Sequence, residues 1–211
     1  MTSIDRSLTR RRFLGAGIAL AVVAPLRGAR AGGLQPVDIV KAFYGILLAA
    51  MKDGPQLGFD GRYQKIEPAV HDTFDVATMC KIAIGPSWTP MPAEKKNAVL
   101  TVFDQYMVTS YASRFKEFKG QQFIVGDAKQ ASADRVLVES KLIRSDGEPV
   151  QLNYLFRQTE GAWKIIDIYL SGTISEMARM RSDFSDTLKT GGADALIAQL
   201  DAKIKELKAG A

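Results

Sequence analysis

Cysteine and histidine are nearly absent from this 211-residue chain, which has one of each, Cys80 and His71. A lone cysteine excludes an intramolecular disulfide. The pair cannot build a zinc site, and Cys–His catalysis would need the two to meet in space. Cys80 reads as a small buried hydrophobe and His71 as a helix-surface residue. A Gly-rich phosphate loop, a Gly-x-Ser-x-Gly elbow, internal repeats and low-complexity tracts are also missing. So is any apolar run of the ~20 residues that a spanning helix needs. The longest, residues 13–26, is shorter and rich in Ala and Gly.

That run has the context of an export leader. Arg10-Arg11-Arg12-Phe13-Leu14 precedes it, in the pattern of a twin-arginine signal. Ala29-Arg30-Ala31 comes after it, with the small-x-small form of a signal-peptidase site. The expected organisation is a cleavable leader over residues 1–31, cut after Ala31, and one domain over residues 32–211. An excess of charge is lacking once the leader is set aside. The chain as a whole carries +5, but residues 1–31 hold six of its 28 Lys and Arg and one of its 23 Asp and Glu. Twenty-two of each sign remain. No global charge is left to attract nucleic acid or an anionic bilayer.

The remainder has helical and strand-like halves. After Pro36, residues Val37, Val40, Phe43, Tyr44, Leu47, Leu48 and Met51 recur at spacings of three and four, one face of a helix. Asp53-Gly54-Pro55 is its expected stop, and a short helix is expected over 61–72. Asp75 suits an N-cap for a third helix, ended by Gly85-Pro86. The longest helix is expected over 92–118, apolar around much of its circumference and hence buried between other elements.

Residues 123–131, 135–144, 149–159 and 162–170 are strand-like runs with short breaks, which predicts a four-stranded antiparallel meander. Val136, Val138, Ser140 and Leu142 share one face of the second strand, and Val150, Leu152, Tyr154 and Phe156 one face of the third. The fourth run, Trp163-Lys164-Ile165-Ile166-Asp167-Ile168-Tyr169, does not divide cleanly between faces. Ser175 suits the cap of a helix carrying Met177, Met180, Phe184 and Leu188. Gly191-Gly192 closes it, and Asp194 opens a last helix. The class is α+β, a curved antiparallel sheet packed with N- and C-terminal helices.

An ordered set of residues resembles the MlaC family, also known as toluene-tolerance proteins. In the first half these are Phe74-Asp75, Gly85, Trp88 and Phe103 through Tyr111. In the second they are Trp163-Lys164-Ile165-Ile166-Asp167-Ile168, Gly172-Thr173-Ile174-Ser175, Arg181-Ser182-Asp183-Phe184, Gly191-Gly192 and Leu196-Ile197. The run 169–176 is most similar to the hopanoid-associated HpnM branch. The likeness extends over nearly all of residues 34–208. It implies a half-barrel sheet similar to nuclear-transport-factor folds, with lipid tails between sheet and helices. It also implies a periplasmic carrier, not an enzyme, and no cofactor. The carrier would move a hopanoid or a phospholipid between an inner-membrane ABC transporter complex and an outer-membrane lipoprotein complex.

The expected apolar cavity lining is Phe103, Met107, Tyr111, Val138, Leu142, Leu152, Tyr154, Phe156, Ile166 and Ile168. An ordinary filled core is the alternative reading of these residues, since an aromatic stripe usually packs solidly. Exposing a ~16-carbon chain to water costs on the order of 13 kcal/mol at ~0.8 kcal/mol per methylene, so a carrier needs a dry compartment. Asp167 is a candidate acid/base for a cone-fold enzyme acting on a small apolar ligand. Its simpler role is to hydrogen-bond a helix start or loop. Arg181 suits either a structural ion pair or a lipid headgroup, and Gly172 and Gly191-Gly192 are backbone punctuation.

Overall fold

A computed structural model describes residues 34–144 and 147–211. The expected leader, with Arg10, Arg11 and the cleavage point after Ala31, lies outside the described residues. Helix α1 (Pro36–Lys52) begins on a proline whose missing N–H leaves nothing unsatisfied in a first turn. Its predicted apolar face is the buried one: Val40, Phe43, Tyr44 and Leu47 are all at most 2% exposed.

Helix α2 (Gly54–Thr73) departs from expectation, because the chain turns straight back into helix at Gly54. The break comes four residues later, at Gly58, with φ 61° and ψ −171°, a region open essentially to glycine alone. Helix α3 (Val76–Ile84) is capped as expected. The Thr78 N–H donates to Asp75 Oδ1 at 2.9 Å. Asp75 also accepts from the Thr78 and Thr159 hydroxyls and lies 3.5 Å from Arg157, so one side chain ties this helix to the sheet.

Helix α4 (Ala93–Arg114) stops four residues short of the expected end. Phe115 leaves the helical region, at φ −102° and ψ 53°, and its ring stacks on Tyr111 at 5.8 Å and meets Phe123 at 5.9 Å. The backbone then runs against α2 so closely that a Cβ at Gly54 would sit 2.1 Å from the Lys116 carbonyl oxygen.

The strands are β1 (Gln122–Ser132), β2 (Arg135–Ile143), β3 (Val150–Thr159), β4 (Ala162–Leu170) and an unexpected β5 (Ile174–Ser175). All pair antiparallel in sequence order, as an open, curved sheet. The fifth strand is only two residues long, and so short a segment carries no alternation to read. An irregularity explains the indistinct faces of the fourth run. Phe156 pairs with Ile165 but Leu155 with Asp167, so Ile166 is an extra residue at which the alternation slips. Bulges of this kind bend strands, and a second one lies in β1 between Val125 and Ala128.

Helix α5 (Glu176–Ala209) returns across the molecule with one break at Gly192, again at positive φ. The core lies between the apolar face of the sheet and helices α1 to α5, with α2 adding Ile66, Ala69 and Val70. Tyr44 of α1 stacks on Phe123 of β1 at 4.0 Å, and Phe43 meets Phe74 and Tyr111 edge-on, both at 5.2 Å. Phe103, Val138, Phe156 and Ile165 have no exposed surface. Among the described residues, no helix is long and apolar enough to cross a membrane, and no group of three or more His, Cys, Asp or Glu could hold a metal.

Candidate functional site

Toward the C-terminal end of α4 the space between sheet and helices stays open. It forms a cavity of about 320 Å³, mostly apolar and reaching the surface. That volume falls at the lower end of ligand pockets, ~300–1,000 Å³. One wall is the α4 face of Tyr106, Met107, Ser110, Tyr111 and Arg114, which recurs every three to four residues. The sheet supplies Leu142 from β2, Val150, Leu152 and Tyr154 from β3, and Ile168 and Leu170 from β4. The first turns of α5 add Glu176, Met177 and Met180, and α1 adds Met51. Four of the wall residues are therefore methionines, whose flexible thioethers adapt to irregular shapes.

Six of the ten residues expected from sequence come together here: Met107, Tyr111, Leu142, Leu152, Tyr154 and Ile168. Four do not. Phe103, Val138 and Phe156 belong to the solid core, and Ile166, at the bulge, is buried outside both that cluster and the cavity wall. The filled-core reading therefore describes one end of the sheet and the cavity reading the other. Sequence reasoning missed Met51, Tyr106, Met177 and Met180. It also missed Ser110 and Arg114, whose signal was available: they continue the Met107–Tyr111 face at helical spacing.

The polar groups near the cavity divide into paired and unpaired sets. The Tyr44 hydroxyl lies 2.5 Å from Ser140 Oγ and 3.1 Å from the Tyr154 hydroxyl, and Ser140 also donates to the Leu152 carbonyl. Burial raises the pKa values of Tyr44, Tyr111 and Tyr154, the last well above the ordinary 10.0, so these phenols stay neutral and act through shape and hydrogen bonding. Glu176, 5% exposed, takes both forks of the Arg179 guanidinium at 2.9 and 2.5 Å. By contrast, Ser110 Oγ is buried and has no hydrogen-bond partner among the described residues.

The candidate chemical groups lie elsewhere. Asp167 is not on the cavity wall. Its oxygens accept from the Ser175 hydroxyl at 2.6 Å, the Ile168 N–H at 2.8 Å and the Met177 N–H at 3.2 Å. This is the helix-start role. Arg181 is also off the wall: it lies across Gly85, where an added Cβ would come within 2.7 Å of its Cδ. Cys80 is fully buried, and burial pushes its thiol up to about 12, which removes the reactive thiolate. His71 sits on the surface, 2.8 Å from Asp104.

The chain has no match among curated protein sequences. Among solved structures it is similar to a phospholipid-binding protein from Ralstonia solanacearum, determined in complex with a phospholipid. That likeness has a TM-score of 0.72 and 24% identity, and it covers 82% of this chain and 99% of the other. At this identity it shows the shared fold. The family model for the MlaC protein matches residues 42–202, from α1 through most of α5. The chain belongs to the MlaC family.

Proposed function

We propose that this protein is a lipid-binding carrier. The observation that carries the reading is the cavity itself, an open apolar space between sheet and helices walled by four methionines and by the rings of Tyr106, Tyr111, Phe115 and Tyr154. Such a wall shelters an apolar chain whose exposure to water costs ~0.8 kcal/mol per methylene. The phospholipid complex of the Ralstonia protein, on the same fold, supports the same ligand class. A hopanoid is the other cargo, suggested by the HpnM-like run 169–176.

The finer reading is a periplasmic shuttle between an inner-membrane ABC lipid transporter complex and an outer-membrane lipoprotein complex. Its support is the export-leader pattern of residues 1–31 and the balanced charge of residues 32–211. A domain without net charge is not held electrostatically at either membrane. The enzyme alternative loses its proposed base, since Asp167 is occupied with capping α5 and lies away from the cavity.

Incubation of lipid-stripped protein with liposomes, then re-isolation and lipid analysis, tests the carrier reading. A carrier retains lipid after separation, whereas an interaction module or an enzyme for small ligands retains none. Export is tested separately. Replacement of Arg10 and Arg11 by Lys is expected to block it, because the twin-arginine receptor reads the pair and not its charge. Normal export of the double variant would assign the leader to the general secretion route.

A further inference from the structure

We infer that the rim of the cavity is a docking surface for an anionic lipid bilayer, with Phe118 and Ile174 entering the interface and the lysines beside Phe118 facing the headgroups. The inference rests on the carrier reading and specifies how the cavity meets its source of lipid.

Three observations support it. The first is where the cavity opens. The registers Gln122↔Ile143, Leu142↔Val150 and Leu152↔Leu170 bring the start of β1, the end of β2, the start of β3 and the end of β4 to one end of the sheet. Gln121, Leu142, Arg144, Val150 and Leu170 of the cavity wall lie at that end. The connections there, from α4 to β1, β2 to β3 and β4 to β5, form the rim. Phe115 and Gln121 are both on the wall, so residues 116–120 between them follow its edge.

The second is exposed apolar surface. Of the four large hydrophobic side chains exposed among the described residues, two are on this rim, Phe118 at 41% and Ile174 at 54%. Phe118 stands in the α4–β1 connection. Ile174 pairs with Leu170, which pairs with Leu152, so it carries an apolar row of the wall out to the last strand. The strand order puts the two on opposite sides of the opening: Phe118 precedes β1 and Ile174 lies on β5, with the walls from β2, β3 and β4 between. Apolar side chains exposed on both sides of an apolar opening mark an interaction surface.

The third is charge. Arg114, Lys116 and Lys119 share this segment with one acid, Glu117, which is paired with Lys119 at 2.6 Å. Lys52 Nζ adds a cation 5.3 Å from the centre of the Phe118 ring. The β2–β3 connection carries Arg144 against Asp146 and Glu148, so the cationic side of the rim is the Phe118 side. Lysines near an anionic bilayer each strengthen attachment, and salt weakens it. The balanced charge of the rest of the domain keeps that attachment local and reversible.

The connection is already shaped for docking. Gln121 accepts the Lys119 N–H at 2.5 Å and donates to the Glu117 carbonyl at 3.4 Å, and Lys116 Nζ donates to the Gly210 carbonyl at 2.8 Å. Phe118 is thus presented from a fastened segment, which lowers the ordering cost of contact. A bilayer fits this rim better than a protein does, because a lipid passes from bilayer to cavity without exposing its chains to water only where the two touch.

The test uses protein isolated from its own compartment, unmutated and in variants made in the same host, so that every sample carries the same N-terminus. Each is mixed with phosphatidylcholine vesicles, with or without phosphatidylglycerol, and bound protein is measured by flotation. Unmutated protein should bind the anionic vesicles about tenfold or more better than the neutral ones, and added salt should shrink the difference. Phe118→Ser and Ile174→Ser should each lower binding to anionic vesicles by about fivefold. Lys116→Gln combined with Lys119→Gln should remove most of the preference for phosphatidylglycerol.

None of these side chains is on the cavity wall, so extracted lipid per protein should match in all samples. Should an apolar variant fail to fold, the lysine pair, exposed at both positions, decides alone. Equal binding to both kinds of vesicle, or binding unchanged in any folded variant, would overturn the inference. So would a lipid-loaded protein that binds no vesicle, which would give the rim to a protein partner. Each of these leaves the carrier reading standing. Protein that never holds lipid would overturn both.

Discussion

Asp167 on β4 accepts the backbone N–H of Met177, ten residues later, at 3.2 Å. The same carboxyl group accepts the Ser175 hydroxyl at 2.6 Å, and Ser175 Oγ accepts the Ala178 N–H at 3.0 Å. One buried side chain thus satisfies the first turn of α5 and fixes where Glu176, Met177 and Met180 meet the cavity. Replacement by Ala leaves those donors and the Ile168 N–H without it. Asp167→Ala is expected to lower unfolding stability by about 2–4 kcal/mol, as unsatisfied buried donors cost ~1–3 kcal/mol each. Urea titration reads the change directly. A loss under ~1 kcal/mol would mean that the cap is dispensable.

Core and cavity are separated by paired substitutions. Val138 has no exposed surface and lies off the cavity wall, whereas Leu152 is half-buried on it. Val138→Trp is expected to overpack the core at about 1–3 kcal/mol, a melting temperature lower by several degrees in a domain of this size. Leu152→Trp is expected to keep the melting temperature close to that of the unmutated protein while cutting retained lipid severalfold. The two variants should therefore move different readouts, thermal melting in one case and extracted lipid in the other.

Acid should act through Asp75. Burial pushes its carboxyl pKa up, but the Thr78 N–H, the Thr78 and Thr159 hydroxyls and Arg157 together outweigh that and hold it below the ordinary 3.8. A depressed carboxyl contributes stability that is fully present above 3.8 and is lost as pH falls through the lower folded value. The stability difference between the unmutated protein and Asp75→Asn should be greatest near pH ~7 and shrink below pH ~4. Urea midpoints across that range supply the comparison. A difference that does not change with pH would place the helix cap on the side-chain geometry alone.

The break in α5 makes a backbone prediction. Gly192 sits at φ 63° and ψ −155°, and an added Cβ would meet nothing within 4 Å. Any penalty for Gly192→Ala is therefore strain and not collision, about 1–3 kcal/mol of unfolding free energy read from a urea titration. A neutral substitution would mean that the helix straightens without loss.

The sequence revealed more about faces than about depth. Alternation along residues 150–156 identified the side of β3 that meets the helices, since Val150, Leu152 and Tyr154 line the cavity and Phe156 joins the core. Burial itself does not alternate, because Asn153 and Leu155 on the other side are buried too. The pattern could not separate Leu152, on the cavity wall, from Phe156, in the solid core, because both occupy the same face and differ only in distance along the strand. Phe103 and Met107 divide in the same way along α4. Turn chemistry was legible where a side chain performs it, as at Asp75 and Ser175. It was less so at Asp53-Gly54-Pro55, where the chain re-enters helix at once and the break falls at Gly58 instead. Arg114 escaped notice because a cation ending an amphipathic helix ordinarily serves the helix dipole.

Native mass spectrometry of the protein isolated from its own compartment tests the carrier reading most directly. The account predicts one lipid mass on each folded protein, released when the chain is unfolded. A population uniformly free of lipid, which also takes none from liposomes, would contradict it.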